Sequence, residues 1–296
     1  MTTIARRGDS RSVTRRDFLA LASAAPATAG HSFDNPFFAL CMDTHDARER
    51  TLDQQARLLR ELGYAGAGHL WLDHVAERLA TLDSAGLKLF QIYIRIDLGS
   101  QAAEPYDSRL TRVLPLLRGR NVQLAALVTG GAPSEASLDG RAAAVVGEIA
   151  GKAAPFGVKL ALYPHQKNWL ETVQDGLRVA AKVGRPDVGV MFNLCHWLKV
   201  GSEAEMKPLL RAALPRLMAV TINGSDRGAE IKAGTGNWIQ PLDSGTFDMY
   251  AFLQELRDLG YCGPIGLQCY GIRGDAAVHL MRSMVAWRAL KIRLES

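Results

Sequence analysis

The stretch Val188-Gly-Val-Met-Phe-Asn-Leu-Cys-His-Trp-Leu-Lys199 decides the prediction of the fold. It begins as an apolar run with β-branched residues, which is typical of a buried strand. It ends by bringing Asn193, His196 and Trp197 within one turn of chain. Polar and aromatic side chains gathered where a buried strand ends indicate a ligand site rather than core packing.

Two other stretches end in the same way. The apolar run that begins at Val158 finishes with Tyr163 and His165, and a later run finishes with Gln268 and Tyr270. A lone histidine is as often structural as functional. The site is favoured because polar and aromatic residues recur at the ends of three strands. Three strands that end alike predict side chains gathered at one end of a sheet.

Strand patterns alternate with amphipathic helical patterns along the rest of the chain, and glycine and proline mark the junctions. Eight strand–helix units in about 260 residues predict an α/β fold, a single (β/α)8 TIM barrel over residues 30–296. No G-x-G-x-x-G follows the first strand, which disfavours a dinucleotide-binding sheet. The predicted strands are residues 36–43, 65–71, 87–97, 121–129, 158–165, 188–196, 217–223 and 264–270, and the predicted helices are residues 52–62, 73–85, 108–118, 137–154, 170–183, 203–214, 247–259 and 275–290.

Alternate residues of a barrel strand face the interior, and one choice of parity puts polar residues last in most strands. In a TIM barrel the active site lies at that carboxyl end. Three tryptophans just past strand ends are candidates for stacking on a ligand, although each equally fits loop packing. Glu171 fits an acid/base residue or a charge at a helix start, and His279 is expected on the surface. The substrate-binding candidates are Asn193, Gln268, Trp71, His69, Trp169, Glu171, Trp197, Asn223, Tyr270 and Asp43.

The first 29 residues differ from the rest of the chain. The pair Arg15-Arg16, followed by Phe18-Leu19 and a weakly apolar run, leads to the small residues before Gly30. This order resembles a twin-arginine export signal, with cleavage expected after Ala29. It predicts a periplasmic or otherwise exported barrel; a disordered basic tail is the alternative.

Charge and hydropathy restrict the partners of the chain. The formal net charge is +5, and the five arginines and two aspartates of residues 1–29 account for +3 of it. The remaining +2 predicts no nucleic-acid partner. No run of about 18 apolar residues occurs, so no membrane span is expected once the signal is removed. A homo-oligomer is compatible with the sequence.

Four motifs carry a resemblance to a known family: Tyr163-Pro-His165, Asn193-Leu-Cys-His196, Thr221-Ile-Asn-Gly-Ser-Asp226 and Gly266-Leu-Gln268. With them, residues 36–290 resemble the xylose-isomerase-like barrel superfamily. That superfamily includes sugar phosphate isomerases and epimerases, inosose dehydratases and endonuclease-IV-type enzymes. The resemblance implies a sugar isomerase or epimerase.

Enzymes of this type usually hold a divalent metal with carboxylates and histidines at the strand ends. The resemblance places Tyr163, Asn193 with His196, Thr221 and Gln268 at the ligand positions of strands five to eight. Each expected carboxylate is thus an uncharged side chain, whereas divalent cations depend on anionic oxygen. We therefore expect no metal cofactor. The alternative is a weaker site for Mn²⁺, Mg²⁺ or Zn²⁺ on His165 and His196, helped by Asn193 or Gln268.

Isomerisation of a sugar needs a base that removes a proton next to a carbonyl and donors that stabilise the enediolate. His165 and His196 are the candidates for the acid/base pair. Tyr163 joins them as a catalytic candidate that polarises the carbonyl. The expected substrate is a sugar, a sugar derivative or a cyclitol. A non-catalytic carbohydrate-binding barrel and a lyase or dehydratase of the same superfamily are the alternatives.

Overall fold

Residues 33–296 are described by a computed structural model, and the predicted export signal lies outside them. Eight parallel strands form a closed barrel in chain order, with the last strand paired to the first. The predicted single (β/α)8 TIM barrel is confirmed. The strands are β1 (Phe37–Leu40), β2 (Gly66–Leu70), β3 (Lys88–Asp97), β4 (Gln123–Thr129), β5 (Lys159–Leu162), β6 (Val188–Asn193), β7 (Leu217–Ile222) and β8 (Ile265–Gln268).

The helices surround the barrel. A capping box at Thr51 begins the first helix, and Gly63, with φ of 88°, ends it in the left-handed conformation that favours glycine. Across residues 33–296, none of the helices is both long and apolar enough for a membrane span. The helices are α1 (Leu52–Leu62), α2 (Val75–Ser84), α3 (Leu110–Val113), α4 (Asp139–Ala153), α5 (Val173–Val183), α6 (Leu194–Val200), α7 (Met206–Ala213), α8 (Gly228–Lys232), α9 (Met249–Asp258) and α10 (Ala276–Glu295).

Two of these helices were not predicted. α6 follows β6 directly, so residues 194–196, predicted as the end of the sixth strand, are helical rather than extended. Its seven residues are mostly apolar, and periodicity alone does not separate a short buried strand from a short buried helix. α8 is a five-residue helix in the loop after β7. Both lie near the carboxyl end of the barrel, which we call the mouth.

Apolar side chains fill two layers. The larger core lies between the strands and the helices, and a smaller cluster fills the barrel interior. Glycine at positions 68 and 266 faces that interior, because a Cβ there would meet Phe38 and Leu40. Small residues on some strands thus make room for large ones on others, which is how a barrel of eight strands is packed. The interior cluster contains Phe38, Leu40, Cys41, Tyr93, Ala125, Ala161, Tyr163, Met191 and Ala219.

The expected parity is wrong on β2. On β2 Gly68 and Leu70 face the interior and Ala67 packs in the outer core, so His69 faces the helices. Its Nε2 lies 2.6 Å from the Asp73 carbonyl, and Arg78 donates to its Nδ1 at 3.4 Å. His69 is therefore held by α2 outside the barrel, and its expected role in binding substrate is corrected.

A buried ionic cluster joins the loops that follow β1 and β8. The Asp46 side chain is 2% exposed and accepts two hydrogen bonds from Arg50, at 2.8 and 2.9 Å. It also accepts the backbone N–H of Ala276 at 3.1 Å, and Arg50 reaches Asp275 at 2.7 Å. These contacts tie the first and last units of the barrel together at the mouth.

His279 on α10 packs beside this cluster and is buried, not exposed as the sequence predicted. Burial lowers its pKa from 6.5 to about 4, although Asp46 and Asp275 act in the opposite direction and Arg50 adds to the lowering. Between these values the unfolded chain binds a proton that the folded chain does not. Stability contributed by neutral His279 is therefore complete above pH 6.5 and is lost as the pH falls toward 4.

We expect this residue to contribute about 2–3 kcal/mol to the loss of stability between pH 7 and pH 4.5. Urea denaturation of wild type and His279→Leu at both pH values measures it, because the variant lacks the titrating group. His74→Leu is the matched control, since the His74 side chain is 74% exposed. Equal pH dependence in wild type and His279→Leu would contradict the assignment.

Candidate active site

Three uncharged side chains meet at the mouth. Tyr163 follows β5, Asn193 ends β6 and Gln268 ends β8, and all three are buried. The Asn193 amide donates to the Tyr163 hydroxyl, and the Gln268 amide donates to the same oxygen at 3.3 Å. The sequence predicted that these residues share one site, and the closed barrel brings them together.

The orientation of both amides follows from their second contacts. The Cys195 thiol donates to Asn193 Oδ1 at 3.1 Å, and the backbone N–H of Tyr270 donates to Gln268 Oε1 at 3.0 Å. The carbonyl oxygens therefore bond to protein donors, and the NH₂ groups meet at the tyrosine. Burial raises the pKa of Tyr163 well above its usual value, so the hydroxyl stays protonated.

Beside this cluster, which we call the neutral triad, lie two imidazoles in contact. The ring centroids of His165 and His196 are 3.8 Å apart. His165 Nδ1 lies 2.8 Å from the carbonyl oxygen of Gln166. Because a carbonyl only accepts, Nδ1 carries the hydrogen of the neutral ring and Nε2 keeps its lone pair.

Both imidazoles are held neutral by their surroundings. Burial lowers the pKa of His165, the Gln166 carbonyl opposes it, and Arg95 adds to the lowering. Burial also lowers the pKa of His196 well below its usual value, with further contributions from His165 and Lys199. Neutral imidazoles at physiological pH can accept a proton.

The donor set does not fit a tightly held divalent cation. Neither amide of the neutral triad turns its oxygen toward the centre, and a protonated tyrosine supplies no anionic ligand. In the range 33–296, no three or more His, Cys, Asp or Glu side chains form a group that could hold a metal ion. The two imidazoles alone lack the anionic oxygen on which Mg²⁺ and Mn²⁺ depend.

Several polar atoms of the site have unused hydrogen-bonding capacity. Thr221 Oγ1, Asn223 Oδ1 and His196 Nδ1 are buried and without a hydrogen-bond partner. Buried polar atoms are rarely left unpaired, and the exceptions need an explanation. They lie close to the carboxyl ends of β6 and β7, on the side of the barrel where the neutral triad lies.

The remaining predicted residues are dispersed. Asp43 and Tyr270 are exposed at the mouth, and Trp71 lines a neighbouring cavity. Glu171 is partly buried just before α5, where its carboxylate accepts the backbone N–H of Lys167 at 2.8 Å. The roles of these four residues in binding a substrate stay predictions.

Trp169 and Trp197 are corrected. They are 1% and 6% exposed and belong to the core between strands and helices. The Trp169 indole donates to the Glu135 carbonyl at 2.8 Å. Neither ring has an open face for stacking on a sugar. Both rings are packed in the protein, which was the alternative prediction for them.

Three residues of the site were not among the predicted candidates. Trp238, in the loop after β7, lies with its ring 5.5 Å from that of His196. Lys199 Nζ stands 3.6 Å from the centre of the Trp238 ring. Arg95 ends an interior row on β3, where strand parity predicts it, but it was not named as a candidate. Trp238 lies in an irregular loop that carries no such signal.

Comparison with known proteins gives the family and the fold. The family described as Xylose isomerase-like TIM barrel matches residues 56–287. No curated protein matches the sequence. A D-allulose 3-epimerase from Methylomonas sp. has a similar structure over 86% of this chain and 98% of its own, with 16% identity and a TM-score of 0.69.

Two further solved structures resemble this chain to about the same degree. An L-ribulose 3-epimerase matches with 18% identity and a TM-score of 0.69, covering 88% of this chain and 95% of its own. The IolI protein, crystallised with a zinc atom, matches with 14% identity and a TM-score of 0.67, covering 87% of this chain and 98% of its own. At these identities the likeness establishes the fold.

Proposed function

The chain belongs to the xylose isomerase-like TIM barrel family, and from that premise we propose that it is an isomerase or epimerase of a sugar, a sugar derivative or a cyclitol. The observation that carries the proposal is the contact between His165 and His196 beside the neutral triad at the mouth. It supplies a neutral base next to hydrogen-bond donors, which proton abstraction beside a carbonyl requires.

Each group has a role in the proposed step. Nε2 of His165 takes the proton from the carbon beside the carbonyl, and the electron pair of that C–H bond forms the enediolate. N–H and O–H donors of the site hydrogen-bond the oxygen on which negative charge develops, with His196, Thr221 and Tyr163 as the candidates. The imidazolium then returns the proton to one of the two carbons, which restores the base. When the proton goes to the neighbouring carbon, the hydroxyl oxygen that becomes the new carbonyl gives its proton to the oxygen that was the carbonyl, so that the protons balance.

The distance between the imidazoles favours proton transfer on one face of the substrate. Rings with centroids 3.8 Å apart leave no room for a sugar between them. Both histidines therefore approach the substrate from the same side. A same-side transfer between neighbouring carbons interconverts an aldose and a ketose, so isomerisation is favoured over an epimerisation that uses one base on each face.

Exchange of carbon-bound hydrogen in D₂O tests the function. The protein is incubated with a panel of sugars, oxidised sugars and cyclitol ketones, and deuterium incorporation is followed by NMR. We expect incorporation beside the carbonyl of at least one compound. A carbohydrate-binding barrel would bind without exchange, and a lyase or dehydratase would release water after the same first step.

We propose that the reaction proceeds without a carboxylate-held metal. The protein dialysed against EDTA is then expected to keep its exchange activity, and calorimetry with MnCl₂, MgCl₂ or ZnCl₂ should show no stoichiometric binding. The double variant Asn193→Asp with Gln268→Glu restores two carboxylates and should gain Mn²⁺ affinity. Loss of activity in EDTA that Mn²⁺ or Zn²⁺ restores would disprove this part of the proposal.

Export remains a further proposal, which rests on the Arg15-Arg16 segment alone. Fractionation of cells that express the full chain, compared with the Arg15→Lys/Arg16→Lys variant, tests it. We expect the wild type outside the cytoplasm and the variant retained.

A further inference from the structure

Arg95 lies at the mouth with its charge unpaired. Its strand position follows Gln91 and Tyr93 on the interior face of β3, and its guanidinium carbon stands 4.9 Å from the centre of the Trp71 ring. Within residues 33–296, no carboxylate forms a salt bridge with it and no hydrogen bond engages its five N–H donors. A guanidinium stacked on an aromatic face keeps its edge free for a planar anion.

The charge around the two histidines is positive on both sides. Arg95 acts on His165, and Lys199 acts on His196. No carboxylate contributes to either imidazole. An anion placed between these groups is therefore attracted by both cations.

A cavity of about 210 Å³ adjoins Arg95, lined also by Trp71, Tyr93, Tyr106 and Arg109. Its two carboxylates are occupied, because Arg109 holds Asp73 at 2.5 Å and Asp107 at 2.6 Å. Both are partly exposed to solvent, which weakens their effect on the cavity. Arg95 thus remains the unpaired charge that lines this space, within the described part of the chain.

The backbone conformation of Trp71 indicates that its ring is held in a defined position. Its φ of 64° lies in the left-handed region, which is rare for a large side chain. Such outliers cluster at ligand sites, where the surrounding structure holds them. Here the turn carries the Trp71 ring beneath the Arg95 guanidinium.

We propose that the substrate is an anionic carbohydrate, whose carboxylate or phosphate binds the Arg95 guanidinium while its carbonyl end reaches His165. This assignment rests on the proposed function and names its substrate class. Arg95 supplies paired N–H donors for two anionic oxygens, a charge-assisted contact that a neutral sugar does not make. Lys199, on the other side of the imidazoles, adds long-range attraction.

Calorimetry with matched ligands tests the assignment. The ligands are glucose, glucuronate and glucose 6-phosphate, and the corresponding galactose and fructose series, so that carboxylate and phosphate are distinguished. We expect at least one charged ligand to bind tenfold or more tightly than its neutral partner. Arg95→Gln should abolish that preference, and Arg60→Gln, an equivalent change in the exposed last turn of α1 at the opposite end of the barrel, should retain it.

Equal affinity for charged and neutral partners, or no measurable binding of any charged ligand, would overturn the assignment. So would an Arg95→Gln variant with an intact preference. Failure of the proposed function has a different result: charged ligands bind selectively through Arg95, but no ligand exchanges carbon-bound hydrogen in D₂O.

Discussion

Replacing His165 with alanine is expected to lower the rate of carbon–hydrogen exchange by about 10²–10⁴-fold, the usual effect of removing a positioned base. The loss should appear in kcat, with KM nearly unchanged, because the imidazole stabilises the transition state of proton transfer and not the bound substrate. Deuterium incorporation at saturating substrate measures it. His165 is a better choice for this test than His196, because the contact of its Nδ1 with Gln166 defines which ring nitrogen is free to accept a proton.

The control is His74→Ala. His74 is exposed and pairs with Glu77 at 3.4 Å, so its loss should leave the exchange rate unchanged. Urea denaturation of both variants separates a lost base from a lost fold. Full turnover by folded His165→Ala would remove this histidine from the mechanism, and a matching loss in His74→Ala would show that the effect is not specific.

The second large effect concerns stability. Asp46→Ala is expected to lower the free energy of unfolding by about 2–4 kcal/mol, because it removes one of the two carboxylates that pair with Arg50 and leaves the buried N–H of Ala276 without an acceptor. Arg50 is 17% exposed at its side chain and Asp46 is 2% exposed. Burial raises the pKa of Asp46, yet the Ala276 N–H and the Arg50 guanidinium outweigh burial and hold it below the usual 3.8. The carboxylate is therefore ionised and fully engaged.

Asp53→Ala provides the matched control. Asp53 pairs with Arg57 one turn along α1, but both side chains are more than half exposed. Exposed pairs of this kind contribute about 0–1 kcal/mol. Urea denaturation at pH 7 compares the two variants with wild type. Equal losses in Asp46→Ala and Asp53→Ala would contradict a special role for the cluster between the first and last barrel units.

Much of the fold could be predicted because its determinants are local. Each of the eight predicted strands contains an observed one, and α1 has the predicted bounds. Alternating apolar patterns with glycine at the junctions depend only on near neighbours in the chain. Prediction failed where distant contacts decide: Gly68 turns inward on β2, where Phe38, Leu40 and Tyr93 fill the interior, and His69 consequently turns outward.

The candidate site divides in the same way. Strand ends indicated Tyr163, His165, Asn193, His196 and Gln268, since parallel strands bring their carboxyl ends to one face. Their mutual geometry was not predictable. The direction of each amide depends on Cys195 and Tyr270, and the exposure of Trp169 depends on the loop that covers it.

The sequence alone determined the alternation of strands and helices, the closed barrel and the uncharged residues at the ends of β5, β6 and β8. These properties follow from the order of apolar, polar and small side chains along the chain. Only the tertiary structure decided that two imidazoles touch, that both amides turn their nitrogen atoms inward, and that Arg95 is left without a counter-charge. Each of those outcomes is set by packing between residues far apart in the sequence, where no local pattern constrains them.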